Sequence, residues 1–158
     1  SISLKKGNGM QKGGSRLGRR IEGAFFILFL LWVPIVSSQR FLKIPLYFHH
    51  KEIWVEVAKT PEERAHGLMG RKHLDENEGM LFIFETEDYH GFWMKDTLIA
   101  LSIAFFDKDG RIVWITDMKP LTLNSHVPPK PILYALEMNI GWFTKNSVKI
   151  GDVVRFSK

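Results

Sequence analysis

The sequence predicts a mainly β fold, a compact antiparallel barrel or sandwich with one or two short helices. Three observations carry that expectation. Short runs rich in β-branched and aromatic residues recur from Ile53 to the C-terminal end. The intervals between them are mostly too short for crossover helices. Two of the runs are joined by a turn ending in Asp-Gly, the signature of an antiparallel hairpin. A hydrophobic share of 45% and an aromatic share of 13% give such a domain a core, and a disordered chain would be poorer in both.

Taken in order, residues 1–22 are polar, glycine-rich and basic, and Gly23 to Ser38 (GAFFILFLLWVPIVSS) then carries no charge. A basic run, an apolar run and small residues at its end form the pattern of a secretory signal. Val36 and Ser38 suit the positions before a cut, with Gln39 next. Sixteen helical residues would span roughly 24 Å against about 30 Å of hydrocarbon, so the segment is short for a permanent span. Residues 1–38 are therefore read as a signal peptide or an N-terminal membrane anchor. The basic flank would stay cytoplasmic and place the domain on the far side of the membrane, periplasmic or extracellular.

Residues 39–52, with Pro45 and His49-His50, read as a linker, and residues 53–156 as the domain. Ile53 to Ala58 (IWVEVA) reads as a strand. Thr60-Pro61-Glu62-Glu63 supplies a cap, a proline at the first helical position and an acid three residues after the cap, so a short helix follows and stops near Gly67. Leu81 to Phe84 (LFIF) reads as a buried strand. Leu98 to Phe106 and Arg111 to Thr116 are the arms of the hairpin around Asp107-Lys108-Asp109-Gly110. Met118 to Pro131, with four prolines, reads as a long loop, a feature that is often functional. Ile132 to Met138 and Val148 to Phe156 complete the strands.

Charge narrows the function classes. The formal net charge is +5, but residues 1–38 hold six Lys or Arg against Glu22, and from Gln39 onward 16 basic residues balance 16 acidic ones. The domain has no net attraction for a phosphate backbone, so nucleic acid is not an expected partner. The chain has no cysteine, which excludes disulfides, thiolate metal sites and a cysteine nucleophile.

Rarer sequence words stand out within the domain. Arg64-Ala65-His66-Gly67-Leu68-Met69-Gly70-Arg71, Gly79-Met80-Leu81-Phe82, Phe92-Trp93-Met94-Lys95-Asp96-Thr97, Ala135-Leu136-Glu137 and Gly151-Asp152 follow one another in an order that resembles the bacterial and archaeal family known as domain of unknown function 192. The resemblance runs from about Ile53 to Val154. It implies a compact, mainly β domain, often exported behind a signal or lipoprotein signal, and it implies no substrate. This chain lacks the cysteine of a lipoprotein. The family tends to carry Asn, Pro and Asp where this chain has Asp96, Ala100 and Ser102.

The candidate ligand-binding residues are Arg64, Met69, Arg71, Trp93, Met94, Asp96, Thr97 and Glu137. Aromatic faces and a thioether suit an apolar groove, although Phe92, Trp93 and Met94 also suit a core. Arg64 and Arg71 flank the Gly-Leu-Met turn, where each can pair with Glu137 structurally or hold an anion. Glu137 follows an apolar run, and a buried carboxylate needs a partner or a raised pKa. The best functional expectation is a non-enzymatic exported domain that binds a small ligand, an envelope component or a protein partner, touching the membrane only through its N-terminal segment.

Two alternatives stand beside it. A hydrolase of an envelope polymer would use Asp96 and Glu137 as acid and base, which requires a defined separation. No nucleophile elbow, phosphate loop or dinucleotide fingerprint accompanies them, so no catalytic residue or cofactor is assigned. A metal carrier would draw on His49, His50, His66, His73, His90 and His126 with Met69, Met80, Met94, Met118 and Met138. These residues form no dense cluster in sequence, and no metal ligand is assigned.

Overall fold

The β-rich runs become strands in the computed structural model, which describes residues 40–48 and 51–156. The expected signal or anchor and the His49-His50 pair lie outside the described residues. In chain order the elements are β1 (Leu42–Phe48), β2 (Lys51–Ala58), α1 (Pro61–His66), β3 (Glu78–Asp88), β4 (Leu101–Phe106), β5 (Ile112–Met118), β6 (Ile132–Asn139), α2 (Trp142–Lys145) and β7 (Arg155–Phe156). The strands form one seven-stranded sheet in the order β5-β4-β6-β3-β2-β1-β7. Among the described residues no helix is long and apolar enough to cross a membrane.

The fold is mainly β with two short helices, but it departs from the expected antiparallel barrel in two respects. The sheet is mixed, because β2 and β3 run parallel while the other ladders are antiparallel. A parallel pair needs a crossover of a dozen or more residues, and residues 59–77 are long enough to supply it. The sheet is also not closed. An isolated bridge between Arg111 and Val153 links its two outer ends, with Ile112 donating to Asp152 and Val154 to Gly110, yet no strand ladder joins β5 to β7. The arrangement is sandwich-like rather than a barrel.

The linker expected over residues 39–52 is corrected as well. Residues 42–48 pair along β2 from Leu42–Val57 to Phe48–Lys51. Pro45 argued against a strand, since proline cannot donate to a ladder. The structure nonetheless seats Pro45 within β1, opposite Trp54 of β2. At the other end of the domain, the expected strand from Val148 to Phe156 shrinks to Arg155–Phe156, and Gly151 turns with φ +95°.

Successive side chains of a strand face opposite sides, so the apolar strands feed two cores. Leu46, Phe48, Val55, Leu81, Phe106 and Leu136 pack on one face, where Trp142 and Phe143 of α2 close the cluster. Met80, Phe82, Ile103, Phe105 and Ala135 pack on the other, covered by Leu68, Leu74 and Met94. This second face carries the candidate site.

The crossover starts on a well-formed cap. Thr60 accepts from the Glu63 backbone N–H at 3.1 Å, while the Glu63 carboxylate accepts from the backbone N–H groups of Thr60 and Lys59. Those backbone donors hold the Glu63 carboxyl below its usual range. The helix ends at Gly67, whose N–H donates to Glu63 and whose φ is +49°.

Gly79 on β3 is required by close approach instead. A Cβ there would lie 2.4 Å from the backbone oxygen of Glu137 and 2.3 Å from the Met138 sulfur. The sulfur can move aside, but the carbonyl belongs to the ladder. Gly79→Ala is expected to lower unfolding stability by about 2 kcal/mol or more in urea denaturation. A loss under about 0.5 kcal/mol would mean that β3 and β6 are spaced more widely than described.

Candidate functional site

The site starts from register. Glu137 lies on β6 opposite Met80 of β3 on one side and Ile103 of β4 on the other, and directly paired residues share a face. Ala135, two residues earlier, lies between Phe82 and Phe105 in the same way. One sheet face therefore presents a carboxyl flanked by Met80 and Ile103, next to a small alanine flanked by two phenylalanines.

Phe92 sits with these rings. Its centroid is 4.9 Å from that of Phe82 and 5.6 Å from that of Phe105, with both pairs edge-to-face. The segment around it is held by backbone bonds to the long loop. Phe92 and His126 exchange N–H···O bonds, Met94 donates to Thr122, and Leu121 donates to Thr97. Met94 is fully buried in the core. Gly70 donates to Asp96 at 2.9 Å, which ties the turn after α1 to this segment. Two motifs far apart in sequence are thus brought side by side.

Between them lies a cleft of about 240 Å³, lined by Arg64, His66, Met69, Phe82, Phe92, Trp93, Thr97 and Glu137, among others. Trp93 is 51% exposed at its mouth, and Glu137 is only 5% exposed. Thr97 is buried with its hydroxyl donating to the Lys95 carbonyl. Of the eight candidates from the sequence, Arg64, Met69, Trp93, Thr97 and Glu137 line this cleft.

The other three do not line it. Met94 belongs to the core, and Arg71 pairs with Glu56. Asp96 is exposed and takes φ +52°, a left-handed conformation that Asp and Asn tolerate better than other non-glycine residues. Asp96 and Glu137 do not share the cleft, so the structure does not assemble the carboxylate pair of the hydrolase reading there.

Neither arginine pairs with Glu137, contrary to the structural pairing weighed for them. The Arg64 guanidinium donates to the carbonyls of Lys59 and Ile83 and makes two bonds to Glu85, at 3.1 and 3.2 Å. It also lies 4.9 Å over the Phe84 ring. Arg71 is taken by Glu56, whose register places it opposite Met80, in the same cross-strand row as Glu137. One acid of the row is neutralised and the other is not. Among the described residues Glu137 has no hydrogen-bond or ion-pair partner, and burial alone pushes its carboxyl up to about 8.

The sequence reading missed Phe82, Phe84 and Gly91 as lining residues, whereas His66 belongs to the Arg64–Arg71 turn expected to form the pocket. Strict alternation through Leu81–Phe84 would have put Phe82 and Phe84 on one face, but the apolar run hides the period. The histidines are scattered: His66 stacks near Phe41, His73 pairs with Asp75, and His90 stacks on Phe84. Among the described residues no three His, Cys, Asp or Glu side chains are placed to hold a metal ion. Met80, Met94, Met118 and Met138 are buried in the cores.

The family model of DUF192, described as an uncharacterized ACR, matches residues 46–156. The chain belongs to this family. Two solved structures are similar to it in fold. One is a protein of Sinorhizobium meliloti 1021 named a "putative transcription regulator", 28% identical, with a TM-score of 0.74 over 76% of this chain and 98% of the other. The second is a protein of unknown function from Novosphingobium aromaticivorans DSM 12444, 31% identical, with a TM-score of 0.68 over 77% and 89%. No curated protein matches the chain significantly.

The unpartnered acid has a thermodynamic signature. An unfolded glutamate ionises near 4.5, whereas Glu137 in the native domain holds its proton to about 8. Between those values the unfolded state binds fewer protons, so stability falls as pH rises, by up to about 1.4 kcal/mol per unit, and levels off above. Glu137→Gln is expected to gain on the parent across that window in urea titrations at pH 5, 6, 7 and 8. A constant difference between the two chains would show that Glu137 ionises normally.

Proposed function

We propose that this DUF192 domain is a non-enzymatic binding module whose cleft receives a small ligand, or the terminal group of an envelope component or protein partner. The observation that carries the reading is the unpartnered Glu137 at the floor of an aromatic cleft with Trp93 exposed at its mouth. The Glu137 carboxyl is poorly solvated but opens onto the cleft, where a ligand group can bond to it. Its volume falls below the usual range for drug-sized ligands, which favours a compact group.

The domain is read as working outside the cytoplasm. The basic and then apolar N-terminal segment supports export, either cleaved or retained as an anchor. The name of the Sinorhizobium relative suggests DNA, but the charge balance from Gln39 onward gives that reading no support here. A hydrolase is less well supported, since among the described residues no second carboxylate lines the cleft with Glu137 and the Arg64 guanidinium is held by Glu85 and two backbone carbonyls.

The test is a fragment screen on the full chain by nitrogen-labelled NMR, following the Trp93 indole N–H. Fragments that enter the cleft should shift this signal, and Trp93→Ala should weaken them about tenfold while changing stability by less than about 0.5 kcal/mol. A screen in which every bound fragment leaves the Trp93 signal unmoved would defeat the reading.

A further inference from the structure

The chemistry of the cleft narrows the class of ligand. An incoming anion would meet the Glu137 carboxyl, while among the described residues the lining guanidinium, Arg64, is already bound to Glu85 and two backbone carbonyls and His66 is the other lining residue able to carry positive charge. Lys95 lies over the Trp93 ring at 5.6 Å, at the mouth rather than the floor. An incoming cation meets a carboxyl with no competing partner, among rings whose faces attract positive charge. Phe84 and Trp93 already hold Arg64 and Lys95 in this way, while Phe82 and Phe92 line the cleft with no such cation over them among the described residues.

We propose that the cleft selects ligands presenting a protonated amine on an apolar stem, with the ammonium docked on the Glu137 carboxylate and the stem against Phe82, Phe92 and Trp93. The proposal rests on the small-ligand reading above and specifies its chemistry. Size agrees with it, since a cavity of roughly 150 Å³ accommodates benzene and this one is about 240 Å³. A benzyl or short alkyl stem with an ammonium group fits that space.

Docking is coupled to a proton. The free domain holds Glu137 as the neutral acid at pH 7, and the ammonium pairs with its anion, so the carboxyl proton leaves to solvent as the ion pair forms. The other charged or titratable groups lining the cleft are Arg64 and His66 on α1; Glu85 pairs with Arg64, Lys95 lies over the Trp93 ring, and the Glu56–Arg71 pair stands beyond Met80 in the same row as Glu137. Met80 and Ile103, the neighbours on β3 and β4, carry no charge. Affinity for an amine that stays protonated is therefore expected to rise about tenfold per pH unit below 8 and to flatten above it.

The experiment is calorimetric titration of the full chain with benzylammonium, benzyl alcohol and benzoate at pH 6, 7 and 8, in two buffers of different ionisation heat. The proposal expects benzylammonium to bind best and to tighten about tenfold from pH 6 to 7. Close to one proton should pass to the buffer at pH 6 and 7 and about half of one at pH 8, and Glu137→Gln should weaken binding at least tenfold and remove the pH dependence. Proton release is read on the parent chain, so the outcome does not hang on the variant folding. Benzyl alcohol or benzoate binding as tightly as benzylammonium, or benzylammonium binding without proton release, would overturn the amine assignment and leave the cleft a ligand site. No probe binding at any pH would overturn both.

Discussion

The parallel pairing of β2 with β3 is the constraint from which the rest of the site follows. Two neighbouring parallel strands cannot be joined by a tight turn, so residues 59–77 must travel back across a face of the sheet. They cross the face where Met80, Phe82, Ala135 and Glu137 lie. The capping box at Thr60 starts a helix at once, Gly67 ends it after six residues, and Gly70 fastens the turn to Asp96. The crossover thus becomes one wall of the cleft and the Phe92–Thr97 segment the other. Without the parallel step, the Arg64–Met69 residues would have no reason to face Glu137.

The same geometry explains why Glu137 is left alone. Both nearby arginines sit on or just after α1, and both find other acids. Glu85, at the outer end of β3, captures Arg64 together with two carbonyls, and Glu56 on β2 captures Arg71. What remains at the centre is a carboxyl on an interior strand, walled laterally by Met80 and Ile103. Desolvation of that kind normally selects against an acid, because an apolar residue of similar volume costs nothing to bury. An acid that opens onto a cleft has a functional explanation that an acid sealed in the core would lack.

Much of this was legible in the sequence, and the limits have physical causes. The helix start was readable because Thr60, Pro61 and Glu63 act on their own local backbone. The hairpin was readable because Asp107 and Gly110 define a turn without distant help, and the hydrogen bonds to Asp107 bear this out. The family was readable because several uncommon words stand in order, and the match over residues 46–156 establishes it. β1 was hidden by Pro45, because a residue with no backbone N–H to donate argues against a strand when read alone. The parallel ladder was hidden because strand direction is set by pairing, which no single run encodes. For the candidate residues, proximity was inferable from the motifs, but partnership was not. Whether Arg71 meets Glu56 or Glu137 depends on which strand lies under the crossover.

The most direct measurement is a carbon-13 NMR pH titration of the Glu137 side-chain carboxyl in the full chain, without any ligand. An unpartnered carboxyl at the floor of the cleft should titrate near 8, well above the ordinary 4.5. A midpoint near 4.5 or below would mean that Glu137 is solvated or paired with a cation, and the ligand-binding centre described above would not exist.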